Sequence, residues 1–270
     1  MNHLTLIIVI FLAVLFVFPI YWMAIGSFEP IRYAPKYPPD FYPVNVTLRN
    51  YKTLFGNYPC FRWILNSFIV ASSTTIIAVS AACLAGYAFA KKRFPGRNFL
   101  FWLLLSTVMI PFYVRLIPLF MTMTSLGLYD TYPGIFLPLT CQAGNVFLAR
   151  QYMATLPSEL IDAAKVDGAS ELSIFTRIIL PLSKPLIAAL VIFNFVWAWR
   201  SFLWPLIATG SDEMRVLPMA VAMVCSFPGG LSELGMAMAG TMLVTAPICI
   251  VFIIFQRYFI KGITLGGVKI

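Results

Sequence analysis

The sequence predicts an all-α integral membrane protein, and three observations carry that prediction. Of 270 residues, 60% are hydrophobic and 11% charged, and the mean hydropathy is +0.87. Ordinary soluble domains carry about 25% charged residues, so this chain lacks the polar surface that would cover a water-exposed globule. Its apolar residues gather into six runs long enough to cross a bilayer as helices. Fifteen of the 19 Lys and Arg fall outside those runs. The same composition excludes a disordered chain, which needs low hydrophobicity and high charge.

The first run, residues 4–26, holds no charge and would reach about 34 Å as a helix, enough to cross with a modest tilt. A cleavable leader has a shorter apolar stretch preceded by Lys or Arg, so this run is read as an uncleaved span. The other spans are expected at 64–90, 99–123, 134–152, 186–208 and 236–260, within one membrane domain covering 1–270. Pro19, Pro111, Pro118, Pro138, Pro205 and Pro247 interrupt these runs, which membrane bundles tolerate when neighbours satisfy the freed carbonyls.

Basic residues set the orientation. Lys91, Lys92, Arg93, Arg97, Arg150, Lys165, Arg177, Lys184, Arg257, Lys261 and Lys269 share one side, placing both termini and the loops 91–97 and 153–185 in the cytoplasm. Arg32, Lys36, Arg49, Lys52, Arg62 and Arg215 lie on the other side. That distribution explains the net charge of +9 without nucleic acid as a partner. The five cysteines form no CxxC pair; Cys60 and Cys225 are placed in loops, the others in apolar runs.

The loop 153–185 is the most informative stretch. It holds all four cytoplasmic acids: Glu159, Asp162, Asp167 and Glu171. It reads as a short helix capped by Thr155, with Pro157 in its first turn and Leu160, Ile161 and Ala164 on one face. Gly168 permits a positive-φ turn or a close backbone approach, and a second helix would start near Ser170 and stop before Pro181. Such a segment is shaped either to dock into another protein's groove or to lie on the membrane surface.

Spacing favours docking. Asp162-Ala163-Ala164, three residues, Gly168, nine residues, then Ile178-Ile179-Leu180-Pro181 resembles the EAA signature of ABC-importer permeases, with Asp in place of the leading Glu. Phe202-Leu203-Trp204-Pro205 and Phe255-Gln256-Arg257-Tyr258 resemble carbohydrate-importer permeases, most nearly the smaller six-span permease of the maltose type. The resemblance implies that 157–168 is a coupling helix seated on an ATPase. Pro157, Glu159, Asp162, Ala163, Ala164, Asp167, Gly168, Ile178, Leu180 and Pro181 would then carry the coupling. It implies a second homologous permease, two ATP-binding subunits, an extracytoplasmic binding protein and a bacterial inner-membrane location. No GxxxxGK[ST] loop is present, so ATP and Mg are expected on the partner ATPase, with no cofactor on this chain.

No catalytic or metal site is expected. His3 is the single histidine, and no acid lies deep in a span. Arg115 and Arg200 fall within expected spans, about 24 Å and 21 Å along their helices. Either they snorkel to the interface or pair elsewhere, or one lines the solute path and meets an anionic group. By the resemblance, small or amide residues are commoner at both places. Asn194, Trp197 and Trp199 offer amide and aromatic faces suited to a sugar, while Gln142, Gly144 and Asn145 suit a solute contact or interhelical packing equally. By the resemblance, the loop from 209 to 234, with Asp212, Glu213, Arg215 and Pro-Gly-Gly at 228–230, would reach the binding protein. The combined reading is an importer subunit for a sugar, an oligosaccharide or a related polyol derivative. Its rivals are an ABC permease for another solute, such as glycerol phosphate, and a stand-alone secondary transporter, which would need acids inside its spans.

Overall fold

The computed structural model describes residues 3–29, 41–42, 45–226 and 234–267, with side chains as far as Ile254. Its described elements are helical throughout. They form two compact units, one from residues 1–66 with 215–249 and one from 67–214 with 250–270.

In the first unit, α1 (His3–Ser27) is apolar on every side, and Phe16 is 75% exposed. A surface this continuously apolar is solvated by lipid, not water. A short helix, α2 (Arg49–Asn57), packs back on the end of α1: the buried Asn50 amide donates to the carbonyls of Ser27 (2.9 Å) and Glu29 (2.7 Å). Prolines 30, 35, 38, 39 and 43 of this loop lie outside the described residues. α3 (Cys60–Lys91) begins here and continues into the second unit; at 32 residues it is about 48 Å long, more than a bilayer core needs.

In the second unit α3 is followed by α4 (Arg97–Ser106), α5 (Phe112–Ser125), α6 (Tyr132–Thr140), α7 (Ala143–Ala154) and α8 (Glu159–Val166). Then come α9 (Glu171–Ile174), a π turn (Phe175–Ile179), α10 (Leu180–Leu182), α11 (Lys184–Trp199) and α12 (Leu203–Ala208). The first unit is completed by α13 (Leu217–Ser226) and the start of α14 (Leu234–Gly267). α13 is largely buried, so the expected external connector after 209 is instead a packed helix; its Pro-Gly-Gly lies outside the described residues. Cys60 and Cys225 sit in helices, not loops, and all five cysteines are free.

Among the described residues, His3–Ser27, Cys60–Lys91 and Leu234–Ile254 are each long and apolar enough to cross a membrane. Counting two bent pairs as one span each gives up to five. The run expected as span 99–123 bends by 101° between α4 and α5. Pro111 causes it: Ile110 is driven to extended φ/ψ (−85°, 111°) and Pro111 starts the next helix. The run 134–152 divides into α6 and α7, and 186–208 breaks after Trp199. Pro138 leaves the Gly134 carbonyl without its helical donor, and the buried Trp204 indole donates to it (3.2 Å) and to the Ile135 carbonyl (3.1 Å).

Candidate functional site

The segment between α7 and α11 folds onto the end of α3. Ser158, not Thr155, precedes α8, and Pro157 lies outside it; Thr155 ends α7, with its hydroxyl donating to the Tyr152 carbonyl at 2.7 Å. Gly168 adopts φ +78°. Its N–H donates to the Lys165 carbonyl (3.0 Å) while the Ala169 N–H donates to the Ala164 carbonyl (2.9 Å). That pair of bonds is a Schellman stop, which places a left-handed residue where the signature has glycine.

Ser170 caps the next turn, its hydroxyl accepting from the Ser173 N–H at 3.3 Å. The helical path then runs through Pro181 and bends by 78° at Ser183, where a stop before Pro181 was expected. The π turn lets the chain pass the proline, since Pro181 has no N–H to place in the ladder. Ile161, Ile174, Phe175 and Ile179 are buried against Val79, Ala82, Cys83 and Tyr87 of α3 and Ala149 and Met153 of α7. Ala164, Ala169 and Leu180 pack at the edge of this cluster, and Ile178 is half-buried.

Leu160 was expected on the same face as Ile161 and Ala164, yet it is exposed, since successive helix positions turn by about 100°. The outward surface of the segment therefore presents Pro157, Glu159, Leu160, Asp162, Ala163, Val166 and Asp167, with Val166 88% exposed. Two ties anchor it from behind. Lys91 donates to the Leu156 carbonyl and to the Ser158 hydroxyl (3.2 Å). Lys92 forms an ion pair with Glu171, whose carboxylate also accepts from the Tyr87 hydroxyl at 3.2 Å. The bond from Lys92 holds the Glu171 carboxyl below the usual glutamate range. Partial burial opposes the charge on Lys92, but its bonds to Glu171 and Tyr87 prevail and its pKa lies above the ordinary lysine value.

The solute-path candidates separate into two groups. Asn194 is 1% exposed; its amide donates to the Leu190 carbonyl (2.7 Å) and its oxygen accepts from Asn145 (2.8 Å), joining α11 to α7. Trp199 is also buried and stacks on Phe195. Trp197 and Arg200, by contrast, line a cavity of about 310 Å³ with Phe112, Leu139, Ser201 and Trp204 among others. Because of the helix breaks, Arg200 is the C-terminal cap of α11 and Arg115 stands in the first turn of α5. Neither is deep inside an unbroken span.

Asp212 and Glu213 are exposed on a 3-10 turn, and the Arg215 carbonyl accepts from the buried Asn66 amide (2.8 Å). Sequence reasoning missed Asp130. At φ +57°, its carboxylate accepts from the N–H groups of Gly210 (2.9 Å) and Ser211 (3.2 Å), tying the α5–α6 turn to the strand of chain after α12. Desolvation opposes this carboxylate's charge, but the bonds from Gly210 and Ser211 prevail and lower its pKa. The available signal was the run Tyr129-Asp130-Thr131, a turn residue before a helix cap.

These features define a helical integral membrane protein with a tethered, outward-facing helix on one loop and interrupted helices around a cavity. Residues 78–265 match the family described as the binding-protein-dependent transport system inner membrane component, and the chain belongs to that family. It is 38% identical to the arabinooligosaccharides transport system permease protein AraQ of Bacillus subtilis (strain 168) over 263 residues, 96% of this chain and 92% of that protein. It is 37% identical to the sn-glycerol-3-phosphate transport system permease protein UgpE of Yersinia pestis bv. Antiqua (strain Antiqua) over 200 residues, 74% of this chain and 71% of that one. Its fold matches a chain from the crystal structure of a bacterial ABC transporter involved in the import of the acidic polysaccharide alginate. The TM-score is 0.83 at 22% identity, with 95% of each chain covered.

Proposed function

We propose that this chain is a permease subunit of an ATP-driven importer for a carbohydrate, working in a bacterial cytoplasmic membrane with both termini in the cytoplasm. The observation that carries this reading is the surface of α8: Leu160, Ala163 and Val166 face outward beside Asp162 and Asp167, in a segment that Lys91 and Lys92, at the end of α3, hold on either side of the helix through Leu156, Ser158 and Glu171. An exposed apolar stripe on an anchored cytoplasmic helix suits docking into a protein cleft.

The partners are a second, homologous permease, two ATP-binding subunits that hold ATP and Mg, and an extracytoplasmic binding protein. Closure of the ATPases would draw α8 inward, and the buried cluster beneath it would pass that motion to α3, α7 and α11. The chain itself would carry no catalytic residue. The named solute of the relative aligned over 96% of this chain is an arabinooligosaccharide, which favours a saccharide over glycerol phosphate. The test is purification from native membranes in mild detergent. Recovery of a second permease and an ATPase, with ATP hydrolysis stimulated by a sugar-loaded binding protein, is the expected result. A chain that purifies alone and transports alone would refute it.

A further inference from the structure

Three interrupted helices end around one cavity. Phe112 opens α5 just past the Pro111 bend, Leu139 lies in the last turn of α6, and Arg200 to Trp204 make the passage from α11 to α12; all line the 310 Å³ space. Backbone that leaves the helical ladder at membrane depth is tolerated where protein buries it or where it borders a watery cavity. Discontinuous helices around such a cavity are a general way of building a transport site.

The lining has the chemistry of a recognition site. Trp197 is 45% exposed and offers a flat apolar face, and Ser201 adds a hydroxyl. Arg200 supplies a permanent cation, and no Asp or Glu lies among the lining residues. The cavity falls at the small end of the range for ligand pockets, about 300–1,000 Å³. A guanidinium fits a carboxylate or phosphate with two parallel hydrogen bonds, and an aromatic face fits the C–H side of a sugar ring.

We propose that this cavity binds a saccharide unit carrying an anionic group, with Arg200 holding the carboxylate or phosphate and Trp197 stacking on the ring. The inference rests on the carbohydrate-importer reading above and names the solute class. It requires the cation at the helix break to discriminate charged from neutral solutes.

The test uses the complete importer, with its partner subunits, in proteoliposomes, supplied with trigalacturonate, arabinotriose and sn-glycerol 3-phosphate in parallel. The readout is the ratio of anionic to neutral uptake in the same vesicles, which does not depend on how much protein folded. Arg200→Gln should lower that ratio by about tenfold or more, and Arg200→Lys should keep it within about threefold. Trp197→Ala should weaken trigalacturonate and arabinotriose alike. Trigalacturonate or glycerol phosphate as the solute lost tells a carboxylate site from a phosphate site. A wild-type importer that carries only arabinotriose, or an unchanged ratio in Arg200→Gln, overturns the inference and leaves the importer reading standing. Absence of any ATP-dependent uptake, with no stimulation by the binding protein, overturns both.

Discussion

Lys92, one residue beyond the end of α3, pairs with Glu171, 79 positions later at the start of α9. Tyr87 joins the same carboxylate and lays its ring against Phe175, with centroids 5.4 Å apart. The end of α3 thereby grips the loop that carries α8 through a polar tie at the rim and an apolar cluster beneath it. The division of labour is physical: burial supplies most of the stability, and the ion pair fixes direction.

Glu171→Gln should therefore change stability little, by about 0–1 kcal/mol, because the pair is partly exposed. Its effect should appear in coupling, as more ATP hydrolysed per solute imported in reconstituted importer. Exchanging the charges, Lys92→Glu with Glu171→Lys, should restore the wild-type ratio. A Glu171→Gln importer with unchanged ATP per solute would remove this tie from the mechanism.

The pH dependence of the tie follows from both partners. Glu171 has a depressed folded pKa, so its contribution is complete above the usual glutamate value of about 4.3 and fades as pH falls through the folded pKa. Lys92 has a raised one, so its contribution is complete below the usual lysine value of about 10.4 and fades as pH rises through the folded pKa. The protection of the 156–174 backbone against hydrogen exchange, taken relative to the intrinsic rate at each pH, should stay constant between these limits and fall at acid pH, and Glu171→Gln should abolish that acid step.

Gly168 holds φ +78°, yet a Cβ there would meet nothing within 4 Å. Strain alone, not crowding, penalises substitution. Gly168→Ala should cost about 1 kcal/mol, and Gly168→Asn less, since Asn tolerates the left-handed region. Melting of the detergent-solubilised complex ranks the two, and equal loss in both would argue for a steric cause.

Gly86 presents the opposite case. A Cβ there would lie 2.5 Å from the Ala149 Cβ and 2.9 Å from its carbonyl carbon, so α3 and α7 meet almost backbone to backbone. Gly86→Ala should destabilise by about 1–3 kcal/mol through forced separation of the two helices. Ala149→Gly in the same chain should recover part of the loss. A single Gly86→Ala variant that melts like the wild type would show that the helices part freely.

The apolar runs 4–26 and 64–90 were legible because each is long and free of charge, and both appear as the continuous helices α1, which carries Pro19 within it, and α3. The breaks were not, since Pro111 reads as a tolerated kink until Ile110 is seen turned to extended backbone. Trp204 looked like part of a family phrase, and its bond to the carbonyl freed by Pro138 depends on packing between residues 70 positions apart. At the candidate site, Gly168 was legible as a residue that permits a positive-φ turn, and it adopts φ +78°. The spacing from Asp162 to Pro181 gave no sign that Lys91 and Lys92, read as mere cytoplasmic charge, clasp that segment. Asn194 looked available to a solute, but its satisfaction by Asn145 required knowing which faces of α7 and α11 meet.

Ala163 tests the central claim most directly, because its side chain is exposed at the centre of the proposed docking surface. The measurement is binding-protein-stimulated ATP hydrolysis and solute uptake by the reconstituted importer carrying Ala163→Glu. An unchanged melting temperature with loss of stimulated hydrolysis, or loss of the ATPase from the purified complex, is the predicted result. Full uptake with normal stimulation would contradict the assignment of α8 as the coupling element.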